Sequence, residues 1–175
     1  MTGKSTKNWK GKYVSHLPVY TIMNCEHKVY VDLDGVLLGK AQPDDREIVL
    51  ARHARELLEY CIQHYQCYWL TTHCKDGDTT PVVNILERYA DEPVMKLIRA
   101  IKPTSWKTMK TEAIDFQLDF YLIDDQLLQY EIELLKEKAV LNRWIQVDTR
   151  RNPDDLKRAI SIVEGRSRHL QKSKK

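Results

Sequence analysis

Two aspartates, Asp32 and Asp34, stand one residue apart directly after Val29-Tyr30-Val31, with Gly35 next. Two more, Asp124 and Asp125, follow the apolar run Phe120-Tyr121-Leu122-Ile123. Between these pairs, Thr71 and Thr72 close a third apolar run, Cys67-Tyr68-Trp69-Leu70, and the segment 106–115 carries Lys107 and Lys110. Carboxylates set so close resist joint ionisation unless something cationic holds them. A hard divalent ion such as Mg²⁺ meets that need, because it takes one or two carboxylates together with water and phosphate oxygens. Hydroxyls and an ammonium nearby supply donors for further phosphate oxygens. Taken singly, each stretch is weak evidence, since Asp-Gly is also ordinary turn chemistry. Three apolar runs ending in these groups, in this order, form a strong pattern.

The elements that must position these groups are legible around them. A buried parallel strand reads as a continuous apolar run, and open α/β sheets bind ligands at the carboxyl ends of such strands. Strands are therefore expected at 28–33, 67–72, 120–123 and 144–147. Ile48, Ala51, Leu57, Leu58 and Ile62 recur at helical spacing and predict a helix over 46–64, capped by Asp44 or Asp45. Strand, helix and strand in this order make a βαβ unit with parallel strands. Pro81 suits the first turn of a helix running to about Tyr89. Residues 91–101 read as a helix or a strand, 106–115 as a short helix, and 126–138 as an amphipathic helix. A last helix opens at Asn152-Pro153-Asp154-Asp155 and is expected to stop near Gly165. The expectation is an α/β, three-layer Rossmann-like fold: a central, mostly parallel sheet, helices on both faces and no large cap domain. Residues 1–27 read as a basic arm with a short strand near 19–22, 28–164 as the single domain, and 165–175 as a basic tail.

With 175 residues, 42% hydrophobic and 30% charged, the chain is long and apolar enough to bury a core, which argues against wholesale disorder. All 25 acidic residues fall within 13–164, while 1–12 carry four lysines and 165–175 two arginines and three lysines. The body is thus acidic and only the tails are basic, which disfavours a nucleic-acid groove on the body. No apolar run reaches the ~18 residues of a transmembrane helix, and the N-terminus shows no apolar signal region. Cysteines 25, 61, 67 and 74 lack Cys-x-x-Cys spacing. Buried free thiols in a reducing, cytoplasmic setting are expected, and zinc is not.

The set resembles the four short motifs of the haloacid dehalogenase (HAD) superfamily of phosphohydrolases. Asp32-Leu33-Asp34-Gly35-Val36 resembles its first motif, Thr71 at the end of a strand its second, a helix-opening lysine its third, and Asp124-Asp125 its fourth. The resemblance implies a Mg²⁺-dependent phosphatase with Asp32 as nucleophile and Asp34 as general acid and base. It also implies an ion held by Asp32, the backbone carbonyl of Asp34 and one of the Asp124/Asp125 pair, with Thr71 and a lysine on the phosphate oxygens. The chemistry is sound in its own right: an aspartate that attacks phosphorus divides one hard displacement into two easier ones. Thr71 is favoured over Thr72 because it directly follows the apolar run, and Lys110 over Lys107, with Lys102 a distant third. His73 reads as an exposed loop residue, and Trp69 and Trp144 as core. Asp76 and Asp78 lack the remaining ligands of a calcium loop.

Family members often carry a cap inserted after the first motif or between the second and third. Here the loop, helix and strand between Asp34 and Thr72 consume that interval, and the interval from Thr72 to Lys110 holds one or two helices, room for a small lid but not a large one. An open site is expected, or one closed by another subunit, so the phosphorylated substrate can be bulky. A phosphotransferase and a catalytically weak phosphate-binding or signalling module are the competing readings. A receiver module would place its acceptor aspartate and lysine in a different order.

Overall fold

The computed structural model describes residues 27–172, so the arm and its expected strand near 19–22 lie outside the described residues. Strand β1 (Lys28–Val31) is built from β-branched and aromatic residues that suit a pleated, buried surface. It is followed by two short strands, β2 (Leu38–Gly39) and β3 (Val49–Leu50), then by α1 (Ala54–His64) and β4 (Gln66–Trp69). Helices α2 (Thr80–Leu86) and α3 (Glu92–Ala100) lead through a 3₁₀ turn at Lys110–Ala113 to β5 (Phe120–Asp124). Then come α4 (Gln129–Glu137), β6 (Trp144–Gln146) and α5 (Asp155–Lys172).

The main sheet has the order β4-β1-β5-β6, and every pairing in it is parallel. Alternate side chains of its strands feed two cores, as the period of two along a strand requires. Val29, Val31, Tyr121, Ile123 and Trp69 pack with apolar residues of α1, α2, α3 and α5 on one face. Tyr30, Phe120 and Leu122 pack with Ile114, Leu127 and Leu135 on the other, which α4 covers. The fold is α/β, with a mostly parallel sheet flanked by helices on both faces, and among the described residues there is no large cap domain. Helices α2 and α3, in the interval from Thr72 to Lys110, bury Val82, Leu86, Val94 and Ile98 in the larger core. None of the described helices is long and apolar enough to cross a membrane.

Several local expectations are corrected. The helix expected over 46–64 begins only at Ala54, because Val49–Leu50 pairs antiparallel with Leu38–Gly39. His53, at φ 63°, turns the chain from that ribbon into α1. Asp45 caps no helix; its carboxylate accepts from the Gln42 N–H at 2.8 Å. Residues 92–100 are helical, with the Asp91 carboxylate accepting from the Val94 N–H as a cap. The short helix expected at 106–115 is a single 3₁₀ turn. Helix α5 does not stop at Gly165 but continues to Lys172. Nothing lies within 4 Å of a Cβ built on Gly165, and its φ is not left-handed, so it interrupts nothing. Trp69 is fully buried, whereas Trp144 is half-buried and donates its indole N–H to the Asp124 carbonyl at 3.1 Å. Cys61, Cys67 and Cys74 are buried free thiols, and burial pushes Cys67 up to about 12.

Candidate phosphate and metal site

Parallel strands bring the ends of β1, β4, β5 and β6 to one edge of the sheet. Asp32 follows β1 and is buried; its Oδ1 accepts from the Leu33 N–H at 2.8 Å. Asp124, the last residue of β5, is fully buried, and its Oδ1 accepts from the Gln126 N–H at 3.0 Å. The other oxygen of each carboxylate meets one cation: Lys110 Nζ lies 2.7 Å from Asp32 Oδ2 and 2.8 Å from Asp124 Oδ2. Asp125 completes the group, and one carboxylate oxygen from each of Asp32, Asp124 and Asp125 lies within 4.8 Å of the others.

The electrostatics follow from that crowding. Burial pushes the Asp124 carboxyl up to about 7; the neighbouring Asp32 charge adds to the shift and Lys110 opposes it. Burial disfavours the Lys110 charge, but Asp32 and Asp124 outweigh it and hold the ammonium above its ordinary range. Asp125 is likewise raised by burial, with the Arg150 guanidinium opposing. Arg150 makes a close ion pair with Asp125 from the loop after β6.

The chain approaches this group closely because two glycines permit it. Gly35 has φ +72°, and a Cβ there would overlap Asp125 Oδ2 and Arg150 Nη2. A Cβ at Gly39 would overlap Thr149. The buried Thr149 hydroxyl donates to the Val36 carbonyl at 3.1 Å, and its N–H donates to the Gly35 carbonyl at 2.8 Å. The loops after β1 and β6 are thereby locked together. On the other side, the buried Glu131 carboxylate accepts from the Leu128 N–H at the start of α4 and from the Thr111 N–H in the lysine turn.

Of the residues singled out from the sequence, Asp32, Lys110, Asp124 and Asp125 come together. Thr72 shares a cleft of about 370 Å³ with Lys110, Asp125 and Arg150, walled by Trp106 and Leu128. Thr71 is fully buried and accepts from the His73 N–H at 3.5 Å. The Asp34 side chain is 54% exposed and points to His73, whose Nε2 lies 2.8 Å from Asp34 Oδ2. Lys107 is exposed, and its backbone N–H donates to Glu112. Arg150 and Glu131 were missed. For Arg150 a signal existed, since Asp148-Thr149-Arg150 follows the last strand as the other polar groups follow theirs. Glu131 looked like the solvent face of an amphipathic helix, and its position three residues after Leu128 was the overlooked sign of a cap.

The fold and site define a small α/β domain whose parallel sheet ends in a clustered aspartate patch, suited to hold a divalent cation or a phosphate group. No family model, no curated protein and no solved structure matches the chain.

Proposed function

We propose that the chain is a Mg²⁺-dependent phosphomonoesterase of the HAD-like type, acting through Asp32. The observation that carries this reading is the Lys110 ammonium held between Asp32 and Asp124, with Asp125 beside them, at the carboxyl edge of a parallel sheet. The donor set is all oxygen and carries no histidine or thiolate, which fits Mg²⁺ and disfavours zinc. Asp32, Asp124 and Asp125 would hold the ion, together with the Asp34 carbonyl that the family resemblance implies. Bound there, it would offset the repulsion between a carboxylate nucleophile and a phosphate dianion.

In this reading Asp32 attacks the phosphorus with its carboxylate, and the ester oxygen departs with a proton from the Asp34 carboxyl. The Asp34 carboxylate then takes a proton from a water whose oxygen attacks the phosphoryl-Asp32, releasing inorganic phosphate and restoring both acids. The hydrogen bond from the Leu33 N–H restrains the Asp32 carboxylate, which supports its reading as a preoriented nucleophile. Lys110 neutralises the transferred group, with Thr72 or Thr71 as a further donor; Lys107 has no role in this reading. Among the described residues no cap domain covers the cleft, which suits a substrate larger than its phosphate.

Hydrolysis of an aryl phosphate with and without Mg²⁺, in wild type and Asp32→Asn, tests the proposal. Turnover that needs Mg²⁺ and disappears in Asp32→Asn is the expected result. Equal turnover in the two proteins would remove Asp32 as nucleophile.

A further inference from the structure

A second concavity of about 690 Å³ meets the aspartate cluster at Asp125 and is not lined by Lys110. Asp125, Gln126 and Arg150 form the ridge between the two clefts, since they line both. Lys110 and Thr72 line only the first, whereas Lys40 and Arg151 line only the second. The cations of the second cleft therefore belong to a different binding position from the one at Lys110.

These cations are held by a built scaffold. Lys40 follows the β2 strand, and its backbone N–H donates to the Thr149 carbonyl at 3.2 Å, which fixes it beside the arginine loop. Asp148, the acid of this loop, spends one oxygen on its own turn: Oδ1 accepts from the Arg150 N–H at 3.1 Å and the Arg151 N–H at 3.3 Å. Its Oδ1 also lies 3.8 Å from Arg150 Nε, so the acid both orients the arginine turn and offsets part of its charge. Arg151 keeps only a pair to Asp148 at 3.3 Å, with 90% of its side chain exposed. Lys40 Nζ donates to the Pro43 carbonyl at 3.1 Å and makes no ion pair among the described residues. In a body that is otherwise acidic, Lys40, Arg150 and Arg151 from two loops outnumber Asp125 and Asp148 in the lining and make a local positive site.

We infer that the Lys40–Arg151 cleft is a second anion subsite, so that the substrate is a phosphomonoester bearing another phosphate group beside the one at Asp32. The inference rests on the phosphomonoesterase reading of the Asp32 site. Guanidinium and ammonium donors on a preorganised turn bind phosphate oxygens by charge-assisted hydrogen bonds. The second phosphate could come from a small bisphosphate or from the backbone of a phosphorylated oligonucleotide end, and both present the same chemistry to this cleft.

Calorimetric binding to the Asp32→Asn protein in Mg²⁺ tests this, with three ligands: phenyl phosphate, a hexose bisphosphate and a 5′-phosphorylated dinucleotide. At least one two-phosphate ligand is expected to bind about tenfold or more tightly than phenyl phosphate. Lys40→Ala/Arg151→Ala, on the same background, should collapse that ratio, and raised salt should shrink it. The stronger of the two ligands identifies the source of the second phosphate. Equal affinities for all three ligands, or a ratio untouched by the double substitution, would overturn the subsite. If the ratio holds while the wild-type protein hydrolyses none of the three, the phosphatase reading falls and the subsite stands. If phenyl phosphate is hydrolysed with no preference in binding, the subsite falls and the phosphatase stands.

Discussion

Replacing Lys110 with methionine keeps most of the aliphatic stem and removes the charge that holds Asp32 and Asp124 together. In wild type its Nζ is 2.7 Å from one carboxylate and 2.8 Å from the other, and both acids are buried. Removing one partner of a buried ion pair costs about 3–5 kcal/mol. The lysine retains 14% exposure, and solvent screening brings the expected cost to about 3 kcal/mol. For a domain of this size that corresponds to a fall in Tm of roughly 6–12 °C. The effect must depend on pH. Asp124 sits at about 7, against an ordinary 3.8. Its contribution to stability is therefore present in acid and lost as pH rises through about 7. Without Lys110 the carboxyl is pushed higher still. The deficit of Lys110→Met is thus expected to be largest near pH 8 and to shrink toward pH 5, where Asp124 is protonated. Scanning calorimetry of both proteins at the two pH values, in EDTA and again in millimolar Mg²⁺, measures it; Mg²⁺ should narrow the gap. Equal Tm values at pH 8 in EDTA, or a deficit that does not change with pH, would refute the reasoning.

Asp124→Asn preserves volume and removes one of two like charges, so in EDTA near pH 8 its Tm should equal or exceed that of wild type, while calorimetric titration shows Mg²⁺ binding weakened tenfold or more. Gly35→Ala meets both a left-handed φ and the Asp125–Arg150 pair; a loss of about 1–3 kcal/mol in urea unfolding is expected, with weaker Mg²⁺ binding. Glu131→Gln sets an amide NH2 donor against one of the N–H groups of Leu128 and Thr111, which loses its acceptor, costing about 1–2 kcal/mol. Because Thr111 is the neighbour of Lys110, kcat on an aryl phosphate should fall in Glu131→Gln while KM moves less.

The parts of the fold visible in the sequence are those in which a local pattern and the final burial agree. Val29-Tyr30-Val31 and Phe120-Tyr121-Leu122-Ile123 are apolar on both faces because both faces of the sheet are covered, so each reads as a buried strand without further context. The segment 46–53 misled because Ile48 and Ala51 fit a helical period, while the partner of Val49–Leu50 is a two-residue strand with no signal of its own. Lys107 and Lys110 could not be separated by helical spacing, because their segment is not an α-helix. Glu112 gathers the N–H groups of Lys107, Thr108 and Met109, and only Lys110, at the start of the 3₁₀ turn, is aimed at the aspartates. For Arg150 the polar run after the last strand was a signal, but nothing in it says that the loop after β6 crosses back to Gly35.

That return of the last loop to the first explains how the site can exist ahead of any ligand. Three carboxylates drawn together by strand geometry would separate, or take up protons, if left alone. Lys110 pairs with two of them and Arg150 with the third, each cation carried on a segment with its own backbone ties. The tie at Thr149 depends on the bare Cα of Gly39, and the Asp125–Arg150 contact on that of Gly35. In the proposed reaction Lys110 would supply positive charge to the transferred phosphate, and an ion held by Asp32 and Asp124 would weaken its two present pairs. Arg150 lines both clefts, and an ion that engaged Asp125 would weaken the pair that now occupies it. Filling the aspartate cluster and freeing Arg150 to meet a second anion are then coupled, which predicts that Mg²⁺ and a two-phosphate ligand bind more tightly together than either does alone.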